Sequence, residues 1–451
     1  MTRQAPKPAS RAARVSLWRY GRLFRRDILS AQPDKLYDAW MAEYRTLFFH
    51  SFMANDPGLV RCVLKERPGD FPKSDRVGEG LRPLLGQSVF LTNGAQWERQ
   101  RRIIDPAFEG GRLRHAHRAI VAAACAATAR IEARSGTDLD VEPEASHAAA
   151  DIIFRTLFSV PIENEMAEAT YLAFRTYQRT QPLLNVAAFV PLPRWMPRFH
   201  RPRTRRSAAL IRRLIRSMVD KRQAAIDVGC APDDLATKIM TTPDPETGLC
   251  FDAGEMVDQV AIFFLAGHET SASTLAWALY LIALHPDWQD RLHVEAKAVD
   301  LEDYASFNAL RQTRDVFRET LRLYPPVPMM VRVARQPECF RDRHVPPGAQ
   351  IVLSPWHLHR HRRLWQTPDD FAPERWQTEE GKASARDAFM PFSAGARVCP
   401  GAGFAMIEGV VMLAHILRAL RVEITDHPPP VPVAHLTVRS KSGIWLRFVR
   451  R

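Results

Sequence analysis

A single cysteine between two glycines places the strongest constraint on how this chain folds. Residues 392–401 read FSAGARVCPG, with Arg397 two residues before Cys399. An apolar run with helical spacing follows at once, so we expect Cys399 to lie just before the N-terminus of a helix. The helix dipole and nearby backbone N–H groups would favour the thiolate. A thiolate held in this way is a nucleophile or an axial metal ligand, whereas a lone cysteine is more often a buried, inert residue.

The composition limits the class of protein. The 451 residues are 46% hydrophobic, which is enough for an extensive core in one large domain or in two to three ordinary ones. No run of about 18 uncharged apolar residues occurs, so a membrane-spanning helix is not expected. The six cysteines are scattered and form no CxxC pair, so no zinc site or disulfide framework is indicated. This cysteine usage is typical of a reducing compartment, and we expect a cytoplasmic protein.

The net charge of +13 is concentrated at the N-terminus. Residues 1–26 hold eight Lys and Arg and no acidic residue, with Trp18 and Phe24 among the arginines. One interpretation is a solvated, partly disordered tail, and a second is an amphipathic helix in peripheral contact with a membrane. A third is an Arg-rich transit peptide. No basic and aromatic module recurs elsewhere, so nucleic-acid binding is not supported.

Charged and aromatic residues are paired at helical spacing in two segments. Trp97 and Arg101 are four residues apart, so the indole N–H and the guanidinium would share one face and could bind a carboxylate. Glu319 and Arg322 are three residues apart, and Arg375 in a later loop could join them in a buried triad. Such a triad is tolerated only when it is fully hydrogen-bonded. Each pair alone is equally typical of an ordinary amphipathic helix.

Two further stretches stand out between these motifs. Residues 252–284 form the longest helical pattern, which would extend about 50 Å and cross a whole domain. Its middle reads AGHET over residues 266–270. Residues 182–202 hold five prolines among apolar side chains, which predicts an apolar lid or entrance loop over residues 182–200.

Five short motifs occur in one order, and together they resemble those of the cytochrome P450 superfamily from about residue 33 onward. Residues 392–401 fit F-x-x-G-x-R-x-C-x-G, 319–322 fit E-x-x-R, 266–270 fit A-G-x-[DE]-T, and 97–101 fit W-x-x-x-R. Residues 373–376 fit P-E-R-F, with Trp376 for phenylalanine. The resemblance implies a mainly α fold with small β-sheets, a triangular prism whose long central helix crosses a haem. It also implies a single haem domain over residues 33–451 after a basic extension over residues 1–32.

The resemblance implies haem b (iron protoporphyrin IX) as the cofactor, with Cys399 as its proximal thiolate ligand. Phe392 would pack beside the sulfur, and Gly395 and Gly401 would let the loop backbone approach the porphyrin. The implied partners of the haem propionates are Trp97, Arg101, Arg332 and Arg397. His359 is a further candidate, although a surface histidine is the more ordinary interpretation in so basic a run.

On the oxygen-binding side, the resemblance implies that Thr270 holds a water that delivers protons and that Glu269 relays protons from solvent. This pair favours a monooxygenase that uses O2 over a peroxygenase, an isomerase or a non-catalytic haem binder. The expected pocket walls are apolar, which favours a hydrophobic substrate. These pocket residues are Val260, Phe263, Phe264, Ala266, Val327 and Met330.

Electrons would reach this chain, which we expect to be a monomer, from an external ferredoxin or flavodoxin. An acidic donor would dock on basic residues near Cys399, although a plain solvated face is the alternative. The candidates are Arg99, Arg102, Arg112, Arg114, Arg360, Arg362, Arg363 and Arg397.

Overall fold

The computed structural model describes the chain except for residues 1–3, 13, 46–49, 110, 181–199 and 435. The chain forms two compact units. Unit 1 comprises Met1–Phe71, Val121–Ala148 and Glu269–Arg451, and unit 2 comprises Pro72–Ile120 and Ala149–His268. The apolar lid expected over residues 182–200 lies, apart from His200, outside the described residues.

Helices dominate the described residues, as the mainly α prediction requires. In chain order the α-helices are α1 (Leu17–Arg26), α2 (Pro57–Arg61), α3 (Asp75–Glu79), α4 (Arg82–Leu85), α5 (Gly94–Ile104), α6 (Arg112–Glu132), α7 (Val141–Phe158), α8 (Glu165–Thr180), α9 (Pro202–Asp227), α10 (Leu235–Thr241), α11 (Ala253–Leu284), α12 (Pro286–Lys297), α13 (Arg311–Leu323), α14 (Pro355–Leu358), α15 (Glu379–Ala388) and α16 (Ala402–Ala419). Shorter turns are a π-helix at Cys62–Glu66 and 3-10 helices at Asp34–Tyr37, Asp105–Ala107, Tyr304–Asn308, Pro373–Gln377 and Gly395–Arg397.

The described strands belong to unit 1 and form small sheets. They are β1 (Met41–Arg45), β2 (His50–Ala54), β3 (Asp138–Asp140), β4 (Met330–Val333), β5 (Glu338–Phe340), β6 (Arg343–Val345), β7 (Gln350–Leu353), β8 (Leu420–Ile424), β9 (Pro432–Ala434), β10 (Val438–Ser440) and β11 (Trp445–Arg450). One sheet has the order β1-β2-β7-β4, with β2 and β7 parallel and the other neighbours antiparallel. A second has the order β3-β11-β8, and β5–β6 and β9–β10 are separate antiparallel pairs.

Unit 2 is organised around an apolar core to which α11 contributes its first half. Phe264 is 1% exposed and contacts the rings of Phe154 and Phe174, with centroids 4.3 and 5.3 Å away. Burial of one such side chain stabilises the fold by roughly 1.5–3 kcal/mol. The 32 residues of α11 agree with the helix that the sequence predicts over residues 252–284.

Unit 1 packs α12 and α13 against the apolar helix α16. Among the described helices, α16 is long and apolar enough to cross a membrane, but 56% of it is buried inside the protein. It is therefore a core helix of this unit.

The N-terminal segment packs on unit 1 before α1 begins. Ala5 is 4% exposed, and its N–H donates to the carbonyl of Asp369 at 2.8 Å. Lys7 forms a 2.5 Å ion pair with the carboxylate of Asp369, and the hydroxyl of Tyr324 donates to the carbonyl of Pro6 at 2.9 Å. The described part of residues 1–32 is thus attached at its beginning and continues into an amphipathic helix.

Candidate active site

Cys399 lies at the start of a helix, as the sequence predicts. The 3-10 turn Gly395–Arg397 precedes it, and α16 begins three residues later at Ala402. Its N–H donates to the carbonyl of Phe392 at 2.9 Å, and its carbonyl accepts from the N–H of Ala402 at 3.3 Å. The residue is exposed, so it is not the buried, inert cysteine that composition alone would favour. Phe392 is partly buried, and Gly401 is the N-cap of α16.

Gly395 is required by a close contact inside the protein. It has a φ of +67°, and a Cβ at this position would lie 1.9 Å from the carbonyl oxygen of Leu64. Any other residue would therefore push the cysteine loop away from the π-helix Cys62–Glu66. This contact alone accounts for a glycine at position 395, and the close approach of the loop at Gly395 and Gly401 to a porphyrin stays a prediction. A Cβ on Gly401 would lie 3.9 Å from the sulfur of Cys399.

Arg332 is a buried cation on β4. It is 5% exposed, and among the described residues its guanidinium makes one hydrogen bond, to the carbonyl of Val331 at 3.3 Å. Burial lowers the pKa of its guanidinium to about 10. A buried charge is tolerated when an anionic partner neutralises it, so this position suits the carboxylate of a bound group. Arg397 beside Cys399 is partly buried.

Trp97 and Arg101 share one face of α5 in unit 2. The guanidinium of Arg101 lies over the indole of Trp97, 5.9 Å from the ring centroid. Its Nε lies 2.7 Å from a carboxylate oxygen of Asp105, one helical turn further on. Burial raises the pKa of Asp105, although Arg101 acts in the opposite direction. The pair therefore has the predicted geometry, and Asp105 is an additional acidic neighbour.

One face of α11 is open in the middle of an otherwise buried helix. Ala266 is exposed, and Phe263, Gly267 and Thr270 are partly exposed. These positions follow i, i+3, i+4 and i+7, so they form one stripe. The sequence had assigned two further residues of this helix to a pocket. Val260 is 0% and Phe264 is 1% exposed, so both are core residues and those two assignments were wrong.

Val327 and Met330 are the remaining predicted pocket residues, and both belong to unit 1. Each is partly buried, and Met330 begins β4 opposite Leu353 of β7. They lie five and two residues, respectively, before the buried Arg332. The structure therefore leaves both side chains partly accessible beside the cationic end of this strand.

Glu269 directly precedes Thr270, the last residue of the open stripe, and its carboxylate contacts the C-terminal hairpin. Its carboxylate accepts a hydrogen bond from the hydroxyl of Thr437 at 2.5 Å and a second from Arg439. Residues 437–439 were absent from the sequence-based site, because nothing in a local motif indicates a partner about 170 residues away.

Glu408 is a second acidic residue that the sequence did not single out. It lies on α16, and its carboxyl accepts a hydrogen bond from the hydroxyl of Ser271 at 3.1 Å. Burial raises its pKa to about 8, with Ser271 acting in the opposite direction. The carboxyl of Glu408 is therefore largely protonated at neutral pH. Its hydrogen-bond partner Ser271 directly follows Thr270 in the sequence.

Glu319, Arg322 and Arg375 form the buried cluster expected from their spacing. Both guanidiniums donate to Glu319, at 2.8 and 2.9 Å from Arg322 and at 3.0 Å from Arg375. Arg322 also donates to the carbonyls of His359, Pro368 and Asp370. Burial acts to raise the pKa of Glu319, but the two guanidiniums outweigh it and hold that pKa below its usual range.

Several basic residues differ from their expected surface role. His359 is fully buried, its Nε2 accepts from the N–H of Met390 at 2.9 Å, and burial lowers its pKa to about 3. It is therefore a neutral core residue rather than a surface one, and its role toward a propionate stays a prediction. Arg360 is 1% exposed and pairs with Asp369, so it too was wrongly placed on a docking face.

Acidic partners neutralise four of the other candidate docking arginines. Arg99 pairs with Glu255, Arg102 with Asp244, Arg112 with Asp233, and Arg362 with Asp34 and Asp38. These contacts remove most of the free positive charge on which the docking expectation depended.

Comparison with known proteins identifies the family of this chain. The sequence model of the cytochrome P450 family matches residues 29–447. The cyclooctat-9-en-7-ol 5-monooxygenase of Streptomyces melanosporofaciens is 33% identical over 397 residues, covering 85% of this chain and 81% of that protein. A cytokinin hydroxylase of Arabidopsis thaliana is 27% identical over 425 residues, covering 91% and 82%. The crystal structure of the cytochrome P450DA heme domain has a TM-score of 0.80 at 22% identity, covering 99% and 98%.

The chain belongs to the cytochrome P450 family. It is a haem-thiolate monooxygenase whose cofactor is the iron protoporphyrin IX haem of that family. The residues present fit this cofactor, because an exposed thiol precedes α16 and a buried guanidinium on β4 suits an anionic group.

Proposed function

We propose that Cys399 is the proximal ligand of the haem iron and that Arg332 and Arg397, with Trp97 and Arg101, bind the propionates. The exposed thiol at the start of α16 carries this proposal, because the helix N-terminus and the loop N–H groups stabilise a thiolate. Phe392 and Gly401 complete the loop around the sulfur.

The test is the absorption spectrum of the reduced, CO-bound protein. The parent should give the red-shifted Soret band of a thiolate-ligated haem, and Cys399→His should keep haem but lose that band. Cys125→Ser is the control, because Cys125 is an exposed cysteine outside the loop. A parent spectrum without the band in folded, haem-loaded protein would contradict the assignment.

We propose that Thr270 and Glu269 supply protons during oxygen activation. A bound haem would supply the site for O2 chemistry, in which two electrons and two protons are consumed as one oxygen atom enters the substrate and the other leaves as water. Thr270 lies on the open stripe of α11 and would hold the water that donates, while Glu269 replenishes it. Thr270→Ala should divert electrons to hydrogen peroxide, which is measured as peroxide formed per O2 consumed. Thr274→Ala, one turn further on α11, is the control because Thr274 is buried and its hydroxyl bonds the carbonyl of Thr270.

We propose a hydrophobic substrate of the terpenoid class. The partly accessible residues Phe263, Ala266, Val327 and Met330 are apolar. The relative that is 33% identical has a cyclooctatenol in its name, which favours this class over fatty acids and simple aromatics. Titration of the haem-loaded protein with cyclooctat-9-en-7-ol should shift the spin state of the iron. A shift with fatty acids and none with terpenoid alcohols would contradict the proposal.

We propose that a separate ferredoxin or flavodoxin donates the electrons to a monomeric, cytoplasmic enzyme. The family's usual dependence on an external donor supports this. Product formation with NADPH, a ferredoxin reductase and a ferredoxin is expected, whereas turnover with peroxide alone would favour a peroxygenase. Sedimentation of the haem-loaded protein at one monomer mass would agree with the monomer.

We propose that α1 brings the enzyme into peripheral contact with an anionic membrane surface. Trp18 is 75% exposed, and the guanidinium of Arg22 lies 5.9 Å from its ring centroid. Within the described residues, the arginines of α1 have no carboxylate partner, whereas Arg99 and Arg102 are paired with Glu255 and Asp244. The arginines concerned are Arg19, Arg22, Arg25 and Arg26. A cluster of unpaired arginines around an exposed tryptophan complements anionic lipid headgroups.

Vesicle binding tests this contact. The haem-loaded protein should sediment with phosphatidylglycerol vesicles and not with phosphatidylcholine vesicles, and binding should weaken as salt rises. Replacing the four arginines of α1 by glutamine should abolish binding, because each arginine contributes about 1 kcal/mol to the free energy of binding to an anionic surface. A control that replaces the carboxylate-paired Arg341, Arg343, Arg362 and Arg447 by glutamine should bind like the parent. Equal losses in both variants would point to net charge rather than α1.

A further inference from the structure

The C-terminal hairpin β9–β10 is attached to α11 beside Thr270. Ser273, one turn after Glu269, donates its hydroxyl to the carbonyl of Val438 at 2.5 Å. Thr437 and Arg439, on either side of Val438, both donate to the same carboxylate oxygen of Glu269. Three successive residues of the hairpin are therefore held on one face of the helix.

The other strand and the end of the hairpin are fixed as well. The N–H of Ala434 donates to the carboxylate of Asp27 at 2.8 Å, and the N–H of Ser440 donates to Glu142 at 2.8 Å. Because these bonds hold the backbone on both sides of Arg439, its guanidinium is presented to Glu269 with little freedom to move. This restricts the position of the carboxylate in turn.

The ion pair between Glu269 and Arg439 joins a buried carboxylate to a partly exposed guanidinium. The side chain of Glu269 is 9% exposed, whereas that of Arg439 is 42% exposed. A buried carboxylate must be paired and hydrogen-bonded, and here the guanidinium of Arg439 extends from the carboxylate to solvent. Arg439 therefore lies where protons from solvent would pass on their way to Glu269.

We propose that Arg439 is a positioning residue for Glu269, and that the C-terminal hairpin is thereby a working part of the proton supply to Thr270. This inference rests on the proton-supplying role proposed above for Glu269 and Thr270. Arg439 acts through Glu269 and does not touch the reacting atoms. Without its charge, the carboxylate would lose its fixed orientation beside Thr270, and proton supply would become slower than the release of peroxide.

Other charged groups surround Arg439 and bear on any pH profile. Burial raises the pKa of Glu142 to about 7, Asp140 also raises it, and the Ser440 N–H and Arg439 lower it. Asp140 accepts from the N–H of Ile444 at 3.1 Å. A pH profile of the parent will thus include Glu142, and the comparison of variants must be made at one fixed pH, such as pH 8, above that pKa.

The test compares Arg439→Gln and Arg439→Lys with the parent, all haem-loaded and reduced by NADPH through a ferredoxin reductase and a ferredoxin. Cyclooctat-9-en-7-ol is the substrate probe, and the readout is peroxide formed per O2 consumed, which requires no product standard. Arg447→Gln is the matched control, because Arg447 is 45% exposed and paired with Asp138 on β3. Arg439→Gln should raise the peroxide fraction toward that of Thr270→Ala, Arg439→Lys should restore most of the coupling, and Arg447→Gln should leave it unchanged.

Hydrogen exchange provides a readout that does not depend on turnover. In Arg439→Gln, amides of residues 436–440 should exchange about 10-fold faster, because a charge-assisted bond that holds the hairpin is lost. Glu269→Gln should have the same effect, and the double variant should add little, which identifies the two residues as one coupled pair. Additive effects in the double variant would overturn the coupling.

The outcomes separate this inference from the function on which it rests. If Thr270→Ala raises the peroxide fraction and Arg439→Gln does not, the inference is wrong and the proton-supplying role stands. If neither variant raises it, the role of Thr270 itself fails. If Arg439→Lys restores slow exchange of the hairpin without restoring coupling, a merely structural role is indicated and the inference is overturned.

Discussion

Unit 1 buries the pair Arg322 and Arg375 and the single residue Arg332, and these two cases differ in how the positive charge is neutralised. Arg322 and Arg375 share the carboxylate of Glu319 and donate their remaining N–H groups to backbone carbonyls. Arg332 is also buried, yet among the described residues its guanidinium donates only to the carbonyl of Val331. The first set neutralises its charge inside the protein and locks loops together. The second leaves a cation for an anionic group that the protein does not itself supply, which suits a haem propionate.

The largest effect should follow from removing the shared carboxylate. Glu319→Gln would leave Arg322 and Arg375 buried without a counter-charge, at a cost of about 3–5 kcal/mol in the free energy of unfolding. Urea unfolding followed by circular dichroism measures this cost. Asp138→Asn, which breaks the exposed pair with Arg447, should cost less than about 1 kcal/mol. Equal costs for both variants would mean that the Glu319 cluster is not a structural lock.

Glu408 represents a third way to bury a charge-bearing group, because it is kept protonated. Its pKa is raised to about 8, so below the unfolded value of 4.5 both states hold the proton. Between these values the folded protein keeps a proton that the unfolded chain releases, so stability falls as pH rises toward 8. Glu408→Gln should abolish this decline, which at about 1.4 kcal/mol per pH unit amounts to roughly 2–4 kcal/mol between pH 5 and pH 8.

The measurement is the free energy of unfolding of parent and variant at both pH values. Other groups titrate in this range in both proteins, so the difference between the two slopes is the informative quantity. Identical slopes would show that Glu408 is not held neutral. Glu98→Gln, at an exposed position of α5, is the control and should leave the slope unchanged.

The residues that were predicted correctly have local signals. A helix start after Cys399 follows from apolar periodicity, and the contact between Glu319 and Arg322 follows from their spacing within one turn. Arg101 over Trp97 is likewise a consequence of positions one turn apart. These contacts form whenever the helix forms, so a sequence motif is sufficient to predict them.

The residues that were missed or misplaced depend on tertiary packing. Arg439 contacts Glu269 across 170 positions, and Asp244 neutralises Arg102 across 142 positions, so no local pattern indicates either pair. Phe263 and Phe264 are adjacent on a helix that is apolar on most sides, and the sequence does not show which of them faces the core. The burial of His359 likewise follows from packing around Arg322 rather than from its basic neighbours.

Replacement by methionine should change the stability of the haem-free protein in opposite directions at Arg332 and at Arg375. Burial lowers the pKa of Arg332 to about 10, so at pH 7 the guanidinium is still charged in both the folded and the unfolded protein, and the full cost of burying that charge destabilises the folded state. Arg332→Met should therefore stabilise the haem-free protein by about 1–3 kcal/mol and weaken haem binding. Arg375→Met should instead destabilise the haem-free protein, because it removes a partner of Glu319.

Unfolding of the haem-free protein and transfer of haem to apomyoglobin measure the two effects separately. Faster haem loss from Arg332→Met, together with a higher unfolding midpoint, would agree with a cation reserved for the cofactor. A lower midpoint in both variants would contradict the distinction, because Arg332 would then be part of the structural charge network.

The smallest effect should come from an exposed ion pair. Arg362 donates to Asp34 and Asp38 at 2.8 and 2.6 Å, as short as the bonds within the Glu319 cluster, but its side chain is 38% exposed. Water can replace these partners, so Arg362→Gln should change the free energy of unfolding by less than about 1 kcal/mol. A cost comparable with that of Glu319→Gln would show that bond length, and not burial, determines how much an ion pair contributes to the free energy of unfolding. The expected small value instead assigns the difference to burial, because short bonds occur in both places and only the buried carboxylate leaves its partners without water when it is removed.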